Sequence, residues 1–355
     1  MELFYKPDFD ETRERMTAFW NGATLDRMPL WITAPRSKPL PGPEAPPEPE
    51  DSFTKWTDQE FRLAQAEAGF RRTWFGGESV PTLQTHLGPG SLAVHLGSEP
   101  VFMPQTVWYK PCIDDLATGP DLQYDPQERW WLWTQEFVAK ARERGEGRYV
   151  LAFPDLIENT DALASLRGSE ELLIELLEAP EAVHRYQRRL LDLYFRYYDE
   201  LGRSFNIPVY GSVFVTFGVW GPGRVCKLQC DMSCMISPAM FREFVAPYLR
   251  CQCRRLDHTL YHLDGPGATQ HLPALLEIPE LHGIQWTPGA GQAALEDPCW
   301  LPMYRQVLDA GKKLFLFGVP PAQVKPLLAE LNRDQVIMST GCRTQQEAEA
   351  LLASL

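Results

Sequence analysis

Short apolar runs alternate along the chain with longer stretches whose apolar residues recur every three or four positions. The runs at 30–34, 74–80, 149–153, 208–213, 259–263, 283–286, 313–317 and 336–339 have the length and residue types of strands. The amphipathic stretches at 60–73, 127–144, 180–201, 238–257, 267–276, 301–310, 321–331 and 344–352 fall between them and predict helices. Strands that alternate with helices specify a parallel sheet wrapped by helices. Eight strands, with no GxGxxG or P-loop to suggest an open doubly wound sheet, predict a closed (β/α)8 TIM-type barrel in α/β class. One domain is expected to span residues 1–355.

Two regions break the pattern. The segment 39–49, PLPGPEAPPEP, can be neither helix nor central strand because proline removes amide donors, so residues 1–60 read as an N-terminal extension carrying a proline-rich loop. Residues 81–124 fit neither period and read as an insertion over the barrel mouth. Both are expected on the side of the catalytic strand ends, as lids that exclude water.

Composition narrows the class. A hydrophobic fraction of 44% with 11 Trp, 12 Tyr and 18 Phe supports a large core. A net charge of −13 without a basic cluster argues against nucleic-acid binding. No apolar run long enough for a membrane span occurs, and the charged start MELFYKPDFDETRERM does not resemble a signal peptide, so a cytoplasmic protein is expected. Its eight cysteines are then expected to be reduced. Cys226, Cys230 and Cys234 would share one face of a helix, but no partner set follows at a zinc-finger spacing.

In a barrel the reactive groups stand at the carboxyl ends of strands. His262 and Asp264 lie two apart in an extended segment and so point to one side of the sheet, and Gly265-Pro266-Gly267 lets backbone approach a ligand. The pair can bind a metal or move protons; a buried histidine held by a neighbouring carboxylate is the structural alternative. Cys342 follows the last strand after a Thr-Gly turn. One imidazole, one carboxylate and one thiolate make a three-ligand zinc set with an open position, His262, Asp264 and Cys342, although a buried inert cysteine is equally common. Asp155 follows the third strand and is a further candidate catalytic carboxylate. Asp231 precedes a helix whose N-cap is Ser237 with Pro238 at its first position, and it reads either as a catalytic carboxylate at the mouth or as a loop cap. Tyr261, Trp286 and Trp220 are candidates to line a flat substrate pocket, or else belong to the core.

The same segments carry a resemblance. Asp231 to Leu249, with ISPAMFREFVAPYL, resembles an element of uroporphyrinogen decarboxylases and their methyltransferase relatives, and YHLDGPG falls where that superfamily has its histidine-glycine strand end. The likeness runs from about residue 147 to the C-terminus and includes PDLIENTDALASLRG. It implies a (β/α)8 barrel with its active site in the mouth. The decarboxylase branch grips an acidic tetrapyrrole with an arginine-rich N-terminal motif; here that region reads PLWITAPRSKPLPG, with only Arg36 and Lys38, which counts against porphyrinogen chemistry. The corrinoid-linked methyltransferase branch holds zinc with a His-x-Cys pair and a distant cysteine. His262 and Cys342 match two of these positions, and Asp264 stands where the first cysteine would be. The resemblance therefore implies a zinc-dependent methyltransferase that moves a methyl group between a corrinoid protein and a small acceptor. The departure at Asp264 weakens the case for a thiol acceptor, because an oxygen ligand leaves zinc more electrophilic. The alternatives are a metal-free decarboxylase or lyase using His262 and Asp231 as proton carriers, and a ligand-binding barrel without catalysis. Expected partners are a small-molecule substrate, a corrinoid protein and a second copy of the chain in a homodimer.

Overall fold

A computed structural model describes residues 2–214, 217–331 and 333–355. Thirteen strands are present among them: β1 (Leu30–Pro35), β2 (Thr73–Gly77), β3 (Thr82–Gln84), β4 (Glu99–Phe102), β5 (Val107–Lys110), β6 (Val150–Phe153), β7 (Ser212–Phe214), β8 (Val219–Gly221), β9 (Val225–Leu228), β10 (His258–Asp264), β11 (Gly283–Thr287), β12 (Lys313–Phe317) and β13 (Val336–Gly341). They form a seven-stranded sheet ordered β2-β1-β13-β12-β11-β10-β9, a four-stranded sheet ordered β3-β6-β7-β8 and a separate β4-β5 hairpin. From β1 through β9 the large sheet is parallel, as is β3-β6-β7 in the small one; β2 and β8 are antiparallel edges. The fold is therefore mixed α/β around parallel strands, and helices supply the crossovers that parallel neighbours require.

Serine side chains tie the two sheets to each other at both seams. Ser212 of β7 donates to Gly223 O and accepts from Val225 N at 2.8 Å, at the start of β9. Ser79, just before β3, donates to Ile32 O of β1 at 3.1 Å.

Helices form where the apolar period predicts them. The longest, Pro180–Phe205, begins on a proline that fits the first helical turn, buries one stripe through Leu190, Tyr194, Tyr197, Tyr198 and Leu201, and ends on Asn206 in the left-handed region at φ 51°. Ser237 caps the helix Pro238–Phe244 by accepting from Met240 N at 3.2 Å, as the Ser-Pro pair predicts. The helix breaks at Val245, and Ala246–Cys253 continues as a second one.

Several expectations need correction. The weak second run is the antiparallel edge β2, and the parallel strand of that region is β3, inside the segment read as an insertion. The run at 208–213 is a helical turn, Ile207–Tyr210, followed by β7. The proline-rich loop follows the carboxyl end of β1 at Pro35. It runs along the helix Gln59–Arg72: Leu40 N donates to Arg71 O at 3.0 Å, Arg71 donates to Pro43 O, and Gln65 donates to Glu48 at 3.4 Å. The later segment does reach the strand ends, where Ser91 N and Leu92 N donate to Asp155 O and Leu156 O at 2.9 and 3.0 Å. The cysteines at 226, 230 and 234 share no helix, since Cys226 lies in β9 and Cys234 in the 3-10 turn Asp231–Met235. All eight cysteines are free thiols.

Candidate functional site

The centre of the site is one cross-strand pair. His262 on β10 stands in register with Gln285 on β11, and His262 Nδ1 hydrogen-bonds Gln285 Oε1. The direction of that bond follows from the other end of the amide. Gln285 Nε2 donates to Trp286 O at 2.7 Å and to Thr287 Oγ1 at 3.0 Å; a backbone carbonyl only accepts, so the amide nitrogen must face it and Oε1 must face the histidine. His262 Nδ1 is therefore the donor. In the neutral ring Nε2 keeps its lone pair, 4.0 Å from Asp264 Oδ2. Burial, then the charge of Lys227, lower the His262 pKa against the opposing pull of Gln285, Asp231 and Asp264, so the ring is neutral near pH 7.

A buried charge cluster surrounds this pair. Lys227 projects from β9 and is 1% exposed. Its Nζ lies 3.6 Å from Asp155 Oδ1 and donates to Gln229 Oε1. Burial would lower the Lys227 pKa, but Asp155, Glu158 and Asp231 together raise it, so the ammonium persists. The carboxylates come from the loop after β6 and the helix Asn159–Arg167. Glu158 accepts from Gln229 N at 2.6 Å, and burial holds its pKa well above the usual range. Asp161 accepts from Asp231 N at 2.8 Å and from Gln229 Nε2 at 3.2 Å; burial and the nearby Asp231 push its pKa up to about 6. Asp231 accepts from Gln229 Nε2 at 2.9 Å, and although its side chain reaches solvent at one edge, desolvation raises its pKa against Lys227 and His262. The loop that delivers these acids is strained. Ile157 sits at φ 50° and Asn159 at φ 43°, and a β-branched residue in that region persists only when its surroundings enforce it.

Of the residues singled out in the sequence, His262, Asp231 and Asp155 thus meet around Lys227, with Asp264 beside His262. The others stand apart. Cys342 follows β13, which β11 and β12 separate from β10. It is buried, its backbone N donates to Thr33 O at 2.9 Å, and Glu347 of the last helix lies nearby, with burial raising the thiol pKa. Among the described residues no group of three or more His, Cys, Asp or Glu side chains stands where it could hold a metal ion. Tyr261 and Trp286 lie on the other face of the sheet, because successive strand residues alternate sides and His262 and Gln285 already point inward. Tyr261 lies beside Ser233 and Cys230, within electrostatic reach of Asp161 and Asp231 from behind the sheet, and Trp286 packs on Trp300 at 4.9 Å. Trp220 packs beneath the first helix, with its ring 6.1 Å from that of Phe9, while its carbonyl accepts from Trp20 Nε1 at 3.0 Å, so it belongs to the amino ends of the strands. Lys227, Gln229, Glu158, Asp161 and Gln285 are the site residues that sequence reasoning missed. The usable signal was the alternation of RVCKLQC, which sends Lys227 and Gln229 to one side.

A cavity of about 400 Å³ opens at the carboxyl ends of β1, β12 and β13, bounded by Trp31, Phe75, Phe217 and Phe317. Phe217 links it to the centre, with its ring 5.2 Å from that of His262.

No protein-family model matches the chain, and no curated protein matches it in sequence. Among solved structures a methyltransferase from Methanosarcina mazei shares the fold: TM-score 0.62, 13% identity, over 97% of each chain. Among the described residues no helix is long and apolar enough to cross a membrane.

Proposed function

We propose that the protein is a methyltransferase built on a closed (β/α)8 barrel, with His262 as its reacting base. Closure is supported by the serine bridges at both seams between the sheets. The observation that carries the reading is the fixed tautomer of His262: Nδ1 is committed to Gln285, and Nε2 is held unprotonated at a strand end where a substrate can approach. The fold shared with the methyltransferase from Methanosarcina mazei fits it. In the reaction the acceptor's heteroatom lone pair forms the bond to the methyl carbon, the donor keeps the electron pair of the bond that breaks, and Nε2 takes the proton that the acceptor sheds. Asp264 and Asp231 stabilise the imidazolium that results, while Lys227 limits how far its pKa rises.

The assignment of a corrinoid protein as methyl donor rests on the sequence resemblance. For zinc, His262 Nε2 and Asp264 supply two donors, and Cys342 would have to approach across β11 and β12. The residues as placed do not complete a three-ligand set, so no step is routed through a metal. A second reading, a decarboxylase or lyase, draws on Asp161 and Glu158: carboxyls whose pKa burial raises, close to Lys227, are suited to deliver a proton to a carbon centre.

Methylcobalamin offered to the purified protein with candidate acceptors tests the first reading. Demethylation of the corrinoid is expected, and His262→Gln should slow it by at least about a hundredfold at an unchanged melting temperature. Metal analysis on the same samples, with Cys342→Ser beside the unmodified chain, decides whether zinc belongs to it. Absence of methyl transfer together with release of carbon dioxide from a small carboxylate would move the assignment to the second reading.

A further inference from the structure

A second cavity, beside β3, holds a cation that has no anion among the described residues. It measures about 340 Å³ and lies between β3, the helix Gln59–Arg72 and the short helix Ser52–Thr57. Arg62 lines it, largely buried but with part of its side chain open to the space. Its Nη1 donates to Trp56 O at 3.3 Å and its Nη2 to Gln84 O at 3.2 Å, while Phe137, with its ring centre 4.6 Å from Cζ, and Trp133 at 5.6 Å cover the guanidinium face. Both acceptors are neutral carbonyls, and the remaining N–H donors meet no acceptor among the described residues. Burial lowers the Arg62 pKa to about 10, and no acidic side chain opposes that shift. A guanidinium withdrawn from water without an anion costs free energy, which rings and carbonyls offset only in part.

The rest of the lining sets the charge and shape of what fits. Glu48, on the proline-rich loop, is the acid among the described lining residues, but Lys55 holds it at 3.0 Å and Gln65 donates to it at 3.4 Å, so it leaves Arg62 without a partner. Two cations, Lys55 and Arg62, less the one acid give a net charge of +1, which suits a monoanion and disfavours a phosphate dianion. Trp56, Phe61, Phe70 and Leu83 make the remaining wall apolar, so the anion must carry an apolar body. A planar carboxylate matches the fork of a guanidinium with two parallel hydrogen bonds. We infer that the cavity beside β3 binds a small monocarboxylate with an apolar body, its carboxylate paired with Arg62 and its body against the aromatic wall. Gln84 ends β3, and His86, just beyond it, lies within electrostatic reach of Arg62 and also of Asp155 and Lys227. The site therefore adjoins the polar cluster around Lys227 yet shares no residue with it, and it stands whether or not His262 serves methyl transfer.

The probe is 4-phenylbutyrate, and its neutral amide, 4-phenylbutanamide, is the control. Titration calorimetry of the full chain, with no methyl donor present, should give a saturable isotherm for the carboxylate and about tenfold weaker binding for the amide, which lacks the charge. Acetate keeps the charge without the body and should also bind about tenfold more weakly. Arg62→Gln should weaken 4-phenylbutyrate about thirtyfold and change the amide less than about twofold. Glu48→Gln, at an exposed position, removes the competing carboxylate and should tighten 4-phenylbutyrate about threefold; it becomes the deciding variant if Arg62→Gln does not fold. Equal affinity for acid and amide, unchanged affinity in the deciding variant, or tighter binding of acetate or inorganic phosphate overturns the site. So does the absence of binding up to about 10 mM probe, where the free energy would be too small for a recognised ligand.

Discussion

Strand β10 carries two histidines, and their contrast shows what makes one of them a reaction centre. His258, at the amino end, stacks on Trp20 at 4.6 Å and 19°, with His282 at 5.8 Å. His262, at the carboxyl end, is gripped at one nitrogen by Gln285 and has Asp264 facing the other. Burial lowers the pKa of both, that of His258 to about 4. The shift alone therefore distinguishes nothing. At His258 it records a ring packed between an indole and a second imidazole, with Asp257 and Lys313 nearby, and His258 Nδ1 meets no partner among the described residues. At His262 it comes with a defined tautomer and an open nitrogen. Cavity size misleads in the same way. A cavity of about 990 Å³, wider than the one at the mouth, lies at the amino ends between Asp10, Trp220 and Asp257, far from the polar groups that converge at the other end.

The contrast breaks first on activity. His262→Gln is expected to cost about 10² to 10⁴ in turnover, whereas His258→Gln should leave turnover within about threefold. Parallel assays of the two purified variants decide it, and equal losses would sink the distinction drawn here. The next effect is on stability. Lys227→Met leaves Asp155 and Glu158 without their cation in a buried setting and should cost about 3–5 kcal/mol by denaturant unfolding. No surface ion pair should approach that loss; Arg242→Ala, which removes an exposed partner of Glu277, should leave the unfolding midpoint nearly unmoved. Smaller again is the orienting effect of Gln285. Gln285→Leu should lower turnover about tenfold and release the tautomer, which the two imidazole nitrogen shifts report by NMR, while Gln285→Glu should raise the His262 pKa.

Most of this architecture was legible because its signals are local. Strands β6, β10, β11, β12 and β13 stand where the apolar runs put them, and Ser237-Pro238 starts a helix as written. The pair His262 and Asp264 was readable from period two alone. What escaped needed either a reversed expectation or a register. Strand β9 is absent from the predicted runs because Lys227, with Gln229 just after it, breaks the apolar pattern, yet in a strand whose inner face builds a site the polar residues are the inward ones. Period two applied once more would have sent Tyr261 away from His262. Trp286 could be sided only by knowing that Gln285 pairs with His262, a fact of tertiary register. The acids of PDLIENTD gave no sign of which would be buried, since the turn that gathers them depends on the strained backbone at Ile157 and Asn159.

The smallest expected effect is the pH dependence that His258 imposes on folding. Its folded pKa of about 4 lies below the unfolded value of 6.5. Between these values the unfolded chain binds more protons than the folded one, so stability falls as pH drops from 6.5 towards 4 and is level, for this group, above and below. One histidine contributes at most about 1.4 kcal/mol per pH unit inside that window, and less here because part of the ring remains in water. His282, whose pKa burial also lowers, adds a slope of the same sign. His258→Gln should therefore flatten the curve of unfolding free energy against pH between 4 and 6.5 without removing the slope, and should leave the pH profile of turnover unchanged. If the turnover profile moves with His258→Gln, the two ends of β10 are electrostatically joined and the separation between them fails.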